Sequence, residues 1–306
     1  MAYAMTDIAA NTSRWISGIP YEVAFWESYY RNKKRRADLF SWSGFGHPCR
    51  LDCFDIDSFI EKQNITARSV IIDVGSALSY AMGTVINGRD TEIEYVDPLA
   101  PFYNRILDRY NISRPYIKFG MVENLSLFYN KGSVTFIHIR NALDHCCDPF
   151  EGIIQSLAVL KEGGILYLNH FINEAQREGY RGFHQFNINR DEKGHLILWN
   201  KNCNIDVSEE ISDYANIKTF TTDEKRVVAV ITKAKEIPSD MYSLETTAER
   251  VALTTKATIE YFHSPRHAAA YQWKRAISTI GHRMMRQLPY PLLNKIKTIA
   301  GKCTTT

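Results

Sequence analysis

The chain has 306 residues, 45% of them hydrophobic and 23% charged, with a formal net charge of +3. That is apolar material for one large domain with appendages, and the near balance of charge excludes an acidic or basic polyelectrolyte. No apolar run reaches the ~18 residues of a membrane span, and residues 1–14 lack the basic and apolar regions of a secretory signal, so a globular protein of the cytoplasm is expected.

Taken in chain order, Trp15, Phe25, Trp26, Tyr29 and Tyr30 precede a basic run, Arg31 to Arg36, and predict an N-terminal helical cover over residues 1–64. Cys49 and Cys53 have no second pair at zinc-site spacing, and adjacent Cys146 and Cys147 read as small buried residues. Ser69-Val-Ile-Ile-Asp-Val-Gly75 is a continuous apolar run, as expected of a parallel strand buried on both faces. Glu92 to Asp97, Ser133 to Ile139 and Gly164 to Asn169 repeat the pattern, and Pro149 to Leu160 has the spacing of an amphipathic helix. Only sixteen residues separate Gly75 from Glu92, so the first crossover must be short or irregular. Further on, Leu196 to Trp199 reads as a strand, and Ile217 to Thr221 with Arg226 to Thr232 as a terminal hairpin across Thr222-Asp-Glu-Lys225. The fold class expected is α/β: a doubly wound, Rossmann-like, mostly parallel sheet with a terminal antiparallel hairpin, plus N- and C-terminal helical extensions. The domains expected are the cover (1–64), a cofactor-binding domain (65–235) with an acceptor lid inserted at 170–200, and a basic C-terminal extension (236–306).

The turn Asp73-Val-Gly75 followed by Ser76-Ala77 lies where the first strand ends, the edge at which open α/β sheets bind ligands. A dinucleotide fold would place glycine at 75, 77 and 80, but Ala77 and Tyr80 occupy the last two positions, which disfavours a pyrophosphate. Asp97, followed by Pro98, ends the next strand 22 residues after Gly75, where a carboxylate can accept both hydroxyls of a ribose. A nucleoside without a diphosphate fits both facts.

These residues resemble the motifs of class I S-adenosylmethionine-dependent methyltransferases, in order over about 100 residues. Phe119-Gly-Met-Val-Glu-Asn-Leu125 is similar to the family's Gly-Asp-Ala-Glu-x-Leu stretch, Arg140-Asn-Ala-Leu-Asp-His145 with Asp148-Pro149 to its Asn-x-Leu-Glu-His and Asp-Pro pattern, and Leu160-Lys-Glu-Gly-Gly-Ile-Leu166 to Leu-Lys-Pro-Gly-Gly-x-Leu. The resemblance implies S-adenosyl-L-methionine as cofactor, held by Asp73, Gly75, Ser76 and Ala77 (methionine part), Asp97 and Pro98 (ribose), Met121, Val122 and Glu123 (adenine), and Asn141. Two positions depart from it: Ala77 replaces a second glycine, and Met121 replaces an Asp, removing an acceptor of ~0.5–1.5 kcal/mol.

Polar and titratable residues collect after strands four and five: Asn141, Asp144, His145, His170, Asn173, Glu174, Tyr180 and the stretch from Gly182 to Asn187. Aromatic rings beside Asn and Gln suit a sugar. His145 is expected to be the base that takes a hydroxyl proton, with Asp144, His170 and His184 as the other catalytic candidates. No metal is assigned; the alternative, a divalent ion held by His145, His170 and His184 with Asp144 or Glu174, is not fixed by the spacing. By analogy with related bacterial enzymes, the acceptor expected is a sugar or other small polar molecule of a surface-polysaccharide pathway, with O-methylation as the reaction. The alternatives are a catalytically silent methyltransferase-like module acting through its tail, and an NAD-linked Rossmann enzyme.

After Glu260 there is no acidic residue but eight lysines and arginines, and Trp273, Ile277, Ile280 and Met284 share a helical face. Such a helix docks on the domain, lies on an anionic membrane or binds a partner. An anionic membrane surface or a glycan-assembly partner is the expected contact of residues 265–303, which would hold the protein at the inner membrane face. Nucleic acid is disfavoured, because no nucleic-acid module accompanies the charge.

Overall fold

A computed structural model describes residues 8–63, 70–241 and 244–263, without the side chains of 244–247. The chain divides into two units, 1–262 and 263–306; the predicted amphipathic tail helix lies outside the described residues.

Three helices open the first unit: α1 (Ile8–Arg31), α2 (Lys33–Trp42) and α3 (Ile56–Lys62). Asn32 separates the first two by capping α2, its side chain accepting from Arg35 N at 3.1 Å. The alternation follows: β1 (Val70–Val74), β2 (Val85–Ile86), β3 (Arg89–Asp90), β4 (Glu94–Asp97), α4 (Ala100–Arg109), β5 (Lys118–Phe119), β6 (Val134–Arg140), α5 (Pro149–Val159) and β7 (Leu160–Phe171). The segment after β7 carries α6 (Glu174–Arg177), β8 (Asn187–Arg190), β9 (Leu196–Trp199), β10 (Asn204–Asp206) and α7 (Val207–Glu210). Then come β11 (Ala215–Thr221), β12 (Arg226–Lys233) and α8 (Leu244–His263).

Seven strands form one sheet in the order β11-β12-β7-β6-β1-β4-β5. The five from β7 to β5 are parallel; β12 pairs antiparallel with both β7 and β11. This is the expected doubly wound sheet with its terminal hairpin. From the central β1 the chain winds outward to β4 and β5, then returns to β6 on the other side. The strand order therefore reverses between β1 and β6, and the crevice of an open α/β sheet lies outside their carboxyl ends.

Both sheet faces are covered, which is why β1 and β6 are almost wholly buried and mostly apolar, with Asp73 and His138 the buried polar pair between them. Ile72, Val74, Ile137 and Ile139 join one core with Ile153, Ile154 and Leu157 of α5. Ile71, Tyr95 and Phe136 join the other with Trp15, Ile19 and Tyr30 of α1. Asp148 and Pro149 start α5 as the sequence suggests: the carboxylate accepts from Glu151 N at 3.1 Å, and proline has no amide hydrogen to lose at the first turn.

The connection from Gly75 to Glu92 contains no helix, only the small β2–β3 hairpin. This segment has more structure than the single predicted strand: β9 is the middle of a three-stranded antiparallel sheet between β8 and β10.

Candidate active site

Gly75 leaves β1 at φ +68°, and its amide donates to Val96 O of β4 at 2.8 Å. A Cβ built on Gly75 would lie 2.2 Å from Cβ of Ala142, just past β6. The two loops at the crossover point thus touch, and only glycine fits. Ala77 and Tyr80, which broke the glycine pattern in the sequence, both take positive φ, +44° and +47°. The backbone is glycine-like where the side chains are not.

Asp97 ties β4 to this loop. Its Oδ2 accepts from Ala77 N at 3.1 Å and its Oδ1 from Leu99 N at 2.8 Å. Each carboxylate oxygen keeps one more lone-pair site for a further donor. Burial raises Asp97 to about 7, despite both amide bonds. Pro98 follows it in a turn, half-buried.

Asp73, one residue before the end of β1, is buried, its Oδ1 2.7 Å from His138 Nδ1 in β6. Ser76 is buried beside it. Met121 and Val122 are both buried; Met121 Sδ accepts from Thr254 Oγ1 of α8 at 3.1 Å. Glu123 points away from solvent, its Oε1 accepting from Cys147 N at 2.8 Å and Asp148 N at 3.3 Å, so it secures the start of α5. Burial pushes its carboxyl up, partly offset by Arg250. Asn141, at φ +50°, spends its side-chain oxygen on Phe171 N at 3.2 Å and Arg226 Nη2 at 3.0 Å.

Arg226 is a residue that sequence reasoning missed. It opens β12 at the carboxyl end of β7, is 2% exposed, donates to Asn141 and to both oxygens of Asn169, and lies 4.1 Å over the Phe171 ring. Burial lowers it to about 10, still charged at neutral pH.

Just past β6, Asp144, His145 and His184 come together. Gln185 N and Phe186 N donate to Asp144 O at 3.0 and 3.2 Å, which brings the segment before β8 to the end of β6. His184 Nδ1 then lies 2.7 Å from Asp144 Oδ2 and 3.1 Å from His145 Nε2. Burial works to raise Asp144, but the charges of His145 and His184 outweigh it and leave the carboxyl at about 2. Burial lowers His145. It would lower His184 too, yet the bond and charge of Asp144 outweigh it and raise that imidazole to about 9. The cluster thus keeps one proton on the His184–Asp144 bond. His170, on β7, is 1% exposed and burial drops it to about 3.

α1 crosses this edge. Asn11 donates to Cys147 O at 3.0 Å, Arg14 to Tyr180 O, and Tyr30 Oη to Leu78 O at 2.9 Å. Trp15 stacks on Phe183 of the lid, centroids 5.2 Å apart, and Gly18 lies against the same ring. The charge of Glu22 reaches Asp97, His145 and His184. It is a second residue the sequence did not mark, since only the path of α1 puts it there.

No family model and no curated protein matches the chain. Among solved structures, CurJ carbon methyltransferase is 14% identical with a TM-score of 0.39, matching 59% of this chain, which spans about half (53%) of that protein. A SAM-dependent methyltransferase from Aquifex aeolicus is 10% identical with a TM-score of 0.38, over 60% of this chain and 93% of its own. A SAM-dependent methyltransferase from Thermotoga maritima is 12% identical with a TM-score of 0.39, over 69% and 99%. No described helix is long and apolar enough to cross a membrane.

Proposed function

We propose that the chain is an S-adenosylmethionine-dependent methyltransferase acting on an oxygen of a small polar acceptor, a sugar or related unit of a glycan. The observation that carries the reading is Asp97: an acidic residue ending β4, bonded to the loop that follows β1, beside the reversal of strand order. The residues fit the cofactor. Gly75 gives the close backbone approach, Asp97 has lone pairs left for a ribose diol, and Met121 and Val122 offer buried apolar surface to a base. When bound, S-adenosylmethionine supplies a methyl carbon activated by its sulfonium.

The chain's own part is positioning and the exclusion of water. Asp97 orients the ribose, Ser76 and Ala77 line the methionine end, and Glu123 and Asn141 hold the two loops in place. Asp144, His145 and His184 hold the acceptor hydroxyl and relieve it of its proton, with His145 foremost, while His170 lies buried behind them. Trp15 and Phe183, stacked, close the lid over the acceptor. The basic segment 265–303 seats the protein on an anionic membrane surface or a glycan-assembly partner, at the inner membrane face.

The test is transfer of methyl label from S-adenosylmethionine into the glycan fraction of an extract. Label with the wild type and none with Asp97→Ala is expected. Label appearing in protein, or none with either, would reject the acceptor class or the reaction.

A further inference from the structure

The Asp144, His145 and His184 cluster has a geometry that hydrogen bonding alone does not use. Its three facing atoms form a triangle: Asp144 Oδ2 to His184 Nδ1 is 2.7 Å, His184 Nδ1 to His145 Nε2 is 3.1 Å, and His145 Nε2 to Asp144 Oδ2 is 3.5 Å. A proton on His184 Nδ1 can point along one side of the triangle only, so the His145 edge gains little from it. A circle through the three atoms has a radius of about 1.8 Å, shorter than the ~2.0–2.2 Å from zinc to imidazole nitrogen or carboxylate oxygen. One ion about 1 Å off the plane therefore reaches all three at bonding distance.

Unspent donor groups surround the triangle. Asp144 is 1% exposed, and its other oxygen, Oδ1, has no hydrogen-bond partner among the described residues. His170 is equally buried with both ring nitrogens in the same condition, and it lies close enough for the charges of Asp144 and His145 to act on it. Buried polar atoms without partners are costly and call for an explanation. Glu174 from α6 and Glu22 from α1 add negative potential, Glu174 acting beside Asp144 and His184, Glu22 on both histidines.

We propose that Asp144 Oδ2, His145 Nε2 and His184 Nδ1 bind one divalent transition-metal ion of the zinc class. Two imidazoles and one carboxylate suit zinc, iron, cobalt or nickel better than magnesium or calcium, which want oxygen ligands throughout. Three protein ligands leave a coordination position open, as in catalytic zinc sites. Binding fixes His145 as its Nδ1–H tautomer and His184 as its Nε2–H tautomer, and displaces the proton on the His184–Asp144 bond. The site stands on its own geometry and does not depend on the methyl-transfer reading.

A second group, Asp191, His195 and Asp206, also brings three ligand atoms together at the lid surface, and it supplies the control. Chelator-treated full-length protein is titrated with Co2+, followed by its visible d–d bands, and with Zn2+ and Mg2+ by calorimetry. The expected result is one tightly held Co2+ or Zn2+ per chain and no comparable Mg2+ binding. His184→Ala and His145→Gln should each weaken it by more than the ~10–100-fold that an outer partner costs, while His195→Ala leaves it unchanged. Thermal unfolding without metal shows that each variant is folded, and His145→Gln, at a partly exposed position, keeps the test open should His184→Ala not fold. No stoichoimetric binding, binding retained in folded His184→Ala or His145→Gln, or binding lost in His195→Ala would overturn the site.

Discussion

Asp97→Asn removes the charged ribose acceptor with little change of shape. One of the carboxylate oxygens becomes an amide nitrogen, so either Ala77 N or Leu99 N faces a donor where it had an acceptor at 3.1 or 2.8 Å. Hydrogen bonds to a charged group are worth ~1.5–3 kcal/mol, so the cofactor's Kd should rise by roughly 10- to 150-fold. That figure applies only where wild-type Asp97 is ionised. Burial raises it from the ordinary 3.8 to about 7, so wild-type affinity should itself tighten between about pH 6 and about pH 8 as the carboxylate forms. Stability runs the other way. The folded protein keeps a proton that the unfolded chain releases, so this contribution is full below about pH 4 and is lost as pH rises through about 7. Asp97→Asn removes that slope. Calorimetry with S-adenosylhomocysteine and thermal unfolding, both as a function of pH, read the two effects separately. An unchanged Kd in a folded Asn variant, or wild-type affinity flat across that range, would refute the assignment.

Three further outcomes are expected. Gly75→Ala forces a side chain into φ +68° against Ala142, costing ~1–2 kcal/mol for the backbone alone; the double variant with Ala142→Gly should recover part of the lost thermal stability, and no recovery would contradict the close approach. His145→Ala should lower turnover ~10²–10⁴-fold with cofactor affinity unchanged; wild-type turnover would move the acceptor site elsewhere. Removing residues after Ser264 should leave methyl transfer intact and abolish sedimentation with anionic vesicles, and full vesicle binding by the truncated chain would remove the tail as an anchor.

The sheet was legible because its inner strands carry their own signal. Ser69 to Gly75 and Ser133 to Ile139 are apolar on both faces, which only a covered parallel sheet requires, and Asp148-Pro149 announces a helix start through chemistry that needs no tertiary context. The course of the N-terminal helices was not legible. Trp15 meets Phe183 and Glu22 approaches Asp97 and His184 through long-range packing that no local pattern encodes. For the same reason Arg226 gave no sign of reaching Asn141 across 85 residues. Ala77 and Tyr80 hid their left-handed backbone because neither is a residue that favours it. The two-residue strand Lys118–Phe119 is too short for any periodicity.

Whether a nucleoside cofactor is held at the ends of β1 and β4 is decided by calorimetry of the full-length chain with S-adenosylmethionine, S-adenosylhomocysteine and NAD. One site is expected for each of the first two, lost or strongly weakened in Asp97→Ala, and none for NAD. Binding of NAD alone would contradict it in favour of a Rossmann dehydrogenase, and binding of none of the three would leave a methyltransferase-like fold that works without the cofactor.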